Sequence, residues 1–167
     1  PERLTAMFES MAELEGTCGR LAAKRMTSGE RHTLEKLHHE LAETVRLGDS
    51  DGYEALNRSF HNTLYRGTHN DVLVDVTFSV RRRVAPFRRV QFSSLPRLAA
   101  SHGEHQGIVD AILRGDFKAA EELLYGHIMA VHDISQEYLA SLREGDNKTP
   151  SEDLASDGVS SDIAVGE

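Results

Sequence analysis

Asn57-Arg58-Ser59-Phe60-His61 sets a side-chain amide oxygen and an imidazole four residues apart. On an α-helix that spacing puts both groups on one face. Tyr53, Leu56, Phe60 and Leu64 recur at helical steps around them, so the face they share is apolar. Two further histidines, His105 and His127, fall on the apolar faces of two later helical patterns. The three segments read as the walls of one pocket suited to a divalent metal, with the rest of the chain folded around it.

Working outward, every other patterned stretch also repeats at three and four residues. The first helix is expected from about Arg3 to Met26, with Leu4, Met7, Phe8, Met11, Leu14, Cys18, Leu21, Ala22 and Met26 forming its stripe. Gly16 and Gly19 interrupt it, and allow a neighbouring helix to come close. Thr27-Ser28-Gly29-Glu30 has capping-box spacing and opens a second helix, with Leu34, Leu37, Leu41 and Val45 inward and Gly48 at its end. The third helix starts near Asp51-Gly52-Tyr53-Glu54, capped by Asp49, Ser50 or Asp51, and breaks at Gly67 and Asn70-Asp71. A fourth covers residues 71 to 92, with Val72, Leu73, Val76, Val80 and Val84 inward and a kink or stop at Pro86. After the break Ser93-Ser94-Leu95-Pro96, a fifth runs from about 97 to 114 with Leu98, His105, Ile108, Val109 and Ile112 inward. Asp116 caps a sixth, about 117 to 143, with Ala120, Leu123, Leu124, His127, Ile128, Val131, Ile134, Tyr138 and Leu142 as its stripe. The expected architecture is all-α, an antiparallel bundle of about six to seven helices over residues 1–144. From Gly145 to Glu167 the chain is rich in Ser, Asp, Gly and Glu, and is expected to be a disordered acidic tail.

Composition narrows the function classes. The chain of 167 residues favours one domain, and 39% hydrophobic with 28% charged residues suits a folded core. A net charge of -8 is wrong for a chain that grips phosphates by itself. The one cysteine, Cys18, excludes an internal disulfide and a multi-cysteine zinc site; on its apolar stripe it reads as inert core. No apolar run is long enough to span a bilayer and no signal-peptide pattern opens the chain, so no membrane partner and a cytoplasmic location are expected. The start at Pro1-Glu2-Arg3, without an initiator Met, suggests a piece of a longer protein.

A lone histidine on an apolar helix face is ordinarily a core residue with one hydrogen bond. Three in one small domain change the balance, because unpartnered buried imidazoles are costly and one ion satisfies all three. Imidazoles suit zinc, nickel, copper or iron, and three of them with an amide oxygen leave positions open for a ligand. Two readings stay open for Asn57: a neutral oxygen ligand, or a buried amide that orients a neighbour. His38 and His39 are expected at the surface or boundary, since Glu35-x-x-His38 occurs once and a di-iron site needs more. His32, His69 and His132 read as exposed or at helix ends, and His102 as lining the pocket rim. Around Pro86 stand Arg81, Arg82, Arg83, Arg88 and Arg89. Most read as a solvated face; Arg81 and Arg88, seven apart on one side, are the pair suited to hold an anion by bidentate bonds. There is no H-E-x-x-H, no G-x-S-x-G and no P-loop.

Taken together, these pieces resemble the effector-binding domain of GntR-type transcriptional regulators of the FadR subgroup, often called the FCD domain. Leu14-Glu15-Gly16 followed by Leu21-Ala22-Ala23-Lys24-Arg25-Met26-Thr27 looks like that family's first helix. Asn57 to His61 looks like its D-x-x-F-H segment, and Thr68-His69-Asn70 like the turn that follows. Ser101-His102-Gly103-Glu104-His105, Ala111-Ile112-Leu113-Arg114-Gly115-Asp116, Ala119-Ala120 and His127 look like its closing S-x-x-E-H, A-I-x-x-G-D and final His. The resemblance implies an all-helical domain with metal ligands at Asn57, His61, His105 and His127, zinc or nickel as the metal, and a small carboxylate metabolite beside it. Two positions depart from the pattern: Asn57 stands where the family has a carboxylate, and Met11 where an effector-binding Arg is often found. The winged helix-turn-helix that would read operator DNA is expected before Pro1.

The function expected is therefore ligand sensing and homodimerisation in a bacterial transcription regulator, with Arg81, Arg88 and His102 contacting the effector and no catalysis. The alternative is a helical metalloenzyme acting on a small organic acid at the same histidines. It needs a general base, and Glu104, the nearest acid, adjoins His105 and is expected to project away from it. In a third reading the histidines are structural and the domain only dimerises.

Overall fold

The structure is a computed structural model that describes residues 2–146. Among these residues the expected all-α bundle forms as α1 (Glu2–Arg25), α2 (Ser28–Leu47), α3 (Ser50–Arg66), α4 (Asp71–Arg88), a 3₁₀ turn (Arg89–Phe92), α5 (Leu95–Arg114) and α6 (Phe117–Asp146). The acidic stretch expected to be disordered lies, from residue 147 on, outside the described residues.

Local chemistry sets the boundaries. Thr27 and Glu30 close the capping box: Glu30 N–H donates to Thr27 Oγ1 at 3.3 Å, and Thr27 N–H to Glu30 Oε2 at 2.7 Å. Gly48, at φ 66°, turns the chain out of α2 in a conformation that costs glycine little. Of the three candidates for the next cap, Asp49 takes the role, accepting from Gly52 N–H at 2.9 Å. Asn70 caps α4 and Asp116 caps α6 through Leu73 N–H and Ala119 N–H. The fifth helix begins two residues earlier than expected, at Leu95, because Pro96 falls in its first turn, where a missing N–H costs nothing.

α1 packs along α6, with α4 and α3 also on it, while α2 joins α3 to α5. The glycines of α1 are there for close approach. A Cβ on Gly19 would lie 2.6 Å from Ala120 O, and one on Gly16 3.2 Å from Glu121 O. Phe8, Met11, Ala12, Cys18 and Ala22 fill the core beside them.

Two faces differ from expectation. On α4 the residues turned inward are Val74, Thr77, Val84 and Arg88. Val72 and Val76 are 75% and 46% exposed. The hydrophobic pattern misleads because the inner face of α4 is partly polar: Thr77 donates to Leu73 O at 2.7 Å and meets Cys18 Sγ at 3.6 Å. On α6, Ala120, Leu124, His127, Ile128 and Val131 are buried as expected, but Leu123, Tyr138 and Leu142 are exposed. Ser135 takes the inward position near the end, bonding Phe87 O and Val131 O. Pro86 neither stops α4 at once nor leaves it unchanged; the helix runs on to Arg88 and tightens into the 3₁₀ turn.

Candidate metal centre

α3, α5 and α6 each bring one imidazole to the bundle interior. His61 and His105 are fully buried and His127 nearly so. One ring nitrogen from each lies within 4.8 Å of the others. His61 and His127 rings stack at 5.3 Å, and His105 meets them edge-on at 5.4 and 4.8 Å while stacking on Phe60 at 4.4 Å. Phe60 thus sets the plane of His105 from the neighbouring helix.

Two acids orient two of the rings. His61 Nδ1 lies 2.7 Å from Glu15 Oε2, and Arg81 Nη1 donates to Glu15 Oε1 at 2.8 Å. His127 Nδ1 lies 2.6 Å from Glu104 Oε2, and Arg97 holds that carboxylate through both terminal nitrogens at 2.9 Å. The pattern is the same twice: arginine, carboxylate, imidazole. A carboxylate accepting from Nδ1–H fixes the tautomer in which Nε2 carries the lone pair.

The electrostatics agree. Burial, opposed by Glu15, pushes His61 down to about 3, and burial with the neighbouring His127 and His61 holds His105 well below the usual imidazole range. Both rings are therefore neutral at neutral pH, the form that ligates. Burial disfavours ionisation of Glu15, but the contact with His61 and the Arg81 guanidinium outweigh it and hold the carboxyl well below its usual range. Glu104 is half-buried and is likewise lowered, to about 2, by its bonds to His127 and Arg97 against the cost of burial.

The donor set passes a direct test of fit. His61 Nε2, His127 Nε2, both nitrogens of His105 and Asn57 Oδ1 are buried without a partner among the described residues. Buried polar atoms are rarely left so; these belong to the four residues singled out from sequence, and His38, Arg88, Gln91 and Arg97 carry the others among the described residues. Three imidazole nitrogens in close convergence could hold a divalent ion, and Asn57 stands one turn before His61 on the same helix.

Beside Asn57 lies a cavity of about 140 Å³, lined also by Glu54, Arg58, Arg81, Arg88 and Gln91. Arg81 and Arg88 thus share a wall, as their spacing suggests, but differ in state. Arg81 is occupied by Glu15 and the Tyr65 hydroxyl. Arg88 is 6% exposed, with Nε and Nη2 unpartnered. Its burial, with the Arg81 charge beside it, lowers it to about 10, still cationic at neutral pH. His102 is not in that wall. It faces α2, where its Nε2 lies 3.3 Å from His38 O and its ring meets that of His38 at 4.1 Å. A larger, mostly apolar cavity of about 350 Å³, between Phe87, Val90, Tyr138 and Leu139, touches none of the histidines.

Three placements correct the sequence reading. His38 is 3% exposed rather than at the surface or boundary, with His102 against its ring. The His132 side chain is 12% exposed in mid-helix, with Thr5 Oγ1 at 3.2 Å and Phe8 against its ring. Glu104 does project away from His105, yet this sends it to His127, on the other side of the same centre. Glu15 and Arg97 received no role from sequence. An acid within the apolar stripe of α1, between Met11 and Cys18, was the available signal for Glu15; nothing marked Arg97.

The comparisons follow this geometry. Among curated proteins none matches the sequence. Among solved structures, E. coli McbR/YncC superposes with a TM-score of 0.67 at 19% identity, over 88% of this chain and 67% of that one. The metal-free FCD domain of TM0439, a candidate transcriptional regulator, gives a TM-score of 0.70 at 17% identity, over 83% of this chain and 94% of that one. At such identities the two show a common fold. The FCD domain profile matches residues 6–130, which takes in all three histidines and both carboxylates that orient them. With most of its length matched, this chain belongs to the FCD domain family.

Proposed function

We propose that this chain is the ligand-sensing and dimerisation domain of a bacterial transcription regulator. It would hold zinc or nickel on Asn57, His61, His105 and His127, and a small carboxylate effector beside the ion. The observation that carries the reading is the set of buried donors without protein partners, opening beside Asn57 on a cavity walled by arginines. When bound, the metal supplies an electrophilic coordination position for an effector oxygen. The chain's own residues do the rest. Glu15 and Glu104 hold two rings in the ligating tautomer, Arg81 and Arg97 hold those acids ionised, and Arg88 offers the anion a free guanidinium edge.

The centre joins α1, α3, α5 and α6, so a ligand binding there biases how these helices sit. A population shift of that kind would alter the spacing of two DNA-reading domains in a dimer, each supplied by a winged helix-turn-helix outside this chain, in the cytoplasm. The outward Val72 and Val76 on α4 supply apolar surface for the second copy. No helix among the described residues is long and apolar enough to cross a membrane. Elemental analysis of the purified chain should find about one divalent ion per protomer, lost in His61→Ala. In the full-length regulator, operator affinity should change when the metal is chelated or a small carboxylate is added. Operator binding indifferent to both would sink the sensor reading, and turnover of the acid would favour the enzyme.

A further inference from the structure

Arg88 and Gln91 are both at least nine-tenths buried, at 6% and 1% exposed, and both leave polar atoms unmatched. Arg88 Nε and Nη2, and both Gln91 Oε1 and Nε2, have no partner among the described residues. The two side chains line the same cavity as Asn57. Their register has a local cause. Pro86 is followed two residues later by the change from α4 to the 3₁₀ turn, and a 3₁₀ repeat sets residues three apart on one side. Glu54 lines the cavity too, yet no ion pair joins it to Arg88 among the described residues, while Arg58, Arg81 and Arg89 add positive charge around it. The space is empty of internal partners and set for an anion.

The unmatched atoms say more than anion. The Nε and Nη2 edge of a guanidinium presents two parallel N–H groups, the complement of one carboxylate. A carboxylate only accepts, so it leaves Gln91 Oε1 unsatisfied; that atom needs a donor, while Nε2 needs an acceptor. A hydroxyl supplies both. We propose that the cavity is a clamp for a small hydroxylated carboxylic acid, Arg88 taking the carboxylate and Gln91 the hydroxyl. Arg81 is then a positioning residue, committed to Glu15 rather than to the ligand. A volume of about 140 Å³ suits an acid of a few carbons, well under the roughly 300 Å³ where drug-sized pockets begin. The proposal rests on the sensor reading above and adds the class of acid.

Matched pairs of acids test it by calorimetric titration of the zinc-loaded chain: 2-hydroxybutyrate against butyrate and malate against succinate, with both enantiomers of each hydroxy acid. The hydroxylated member of at least one pair should bind about tenfold tighter or more. Gln91→Leu, or Gln91→Met should the first variant not fold, should erase the difference within the pair and spare the affinity for the plain acid. Arg88→Met should weaken every acid of the panel. Without ligand, Gln91→Leu should melt no lower than the wild type, because the amide has no partner among the described residues. Equal affinities within both pairs, discrimination that survives in Gln91→Leu, or a lower melting temperature of that variant would each overturn the clamp while leaving the sensor standing. If none of the acids binds the wild-type chain, the sensor reading falls and the clamp with it.

Discussion

Glu15 shows how a single buried charge can be tolerated in a helical core. It touches no water, yet Arg81 and His61 occupy both of its oxygens, so ionisation costs less than protonation would. Its job toward the centre is orientation. Glu15→Gln should leave the fold in place but weaken metal binding by roughly 10–100-fold, the usual effect of losing an outer carboxylate; competition against a chelator measures it. Asn57 is the opposite test. Its oxygen is neutral, so Asn57→Asp should tighten the metal in the same titration if that atom faces the ion, and an unchanged affinity would count against Asn57 as a ligand. Cys18 needs no partner beyond Thr77. Burial pushes its thiol up to about 12, so an aromatic disulfide reagent at pH 8 should react slowly with the native chain and fully after denaturation.

At the scale of elements, α1 and α6 carry the tightest constraint. Gly19 lies where any Cβ would strike Ala120 O at 2.6 Å, a backbone atom that cannot swing aside. Gly19→Ala should therefore force the helices apart and cost about 1–3 kcal/mol, despite its gain in helix propensity. Urea denaturation of the chelated protein reads this without the metal's contribution. α4 carries the second expectation. Its inner face turns Thr77 to Cys18 and holds Arg81 and Arg88 against the site, which leaves Val72 and Val76 outward and uncovered among the described residues. If that face pairs with a second copy, Val76→Asp should shift the chain from dimer to monomer in sedimentation, with its helicity kept.

For the molecule as a whole, a buried histidine outside the centre links the fold to pH. Burial and the neighbouring His102 hold His38 near 4, against an ordinary 6.5, so the folded state keeps this ring neutral where the unfolded chain would protonate it. A group lowered in this way contributes stability that is present above about pH 6.5 and lost as pH falls toward 4. The chelated chain should accordingly melt lower at pH 5 than at pH 7, and a metal at about 100 times its dissociation constant should add about 2.7 kcal/mol at pH 7. What could be read without coordinates was whatever repeats along the chain or sits at a cap. Three- and four-residue apolar steps, Thr27-x-x-Glu30, Gly48, Asn70, Gly115 and Asp116 marked nearly every helix, and the order of Asn57, His61, His105 and His127 marked the centre. Those signals are local or belong to one helix face, so they survive in one dimension. The outward turn of Val72 and Val76 could not be read, because a helix that packs a partly polar face against a site inverts the hydrophobic rule. Nor could the pairing of Glu15 with His61, or of Glu104 with His127, across that centre. Side chains on different helices meet only when packing brings the helices together, and it is this meeting that settles which buried charges are balanced and which, like Arg88 at Nε and Nη2, find no partner among the described residues.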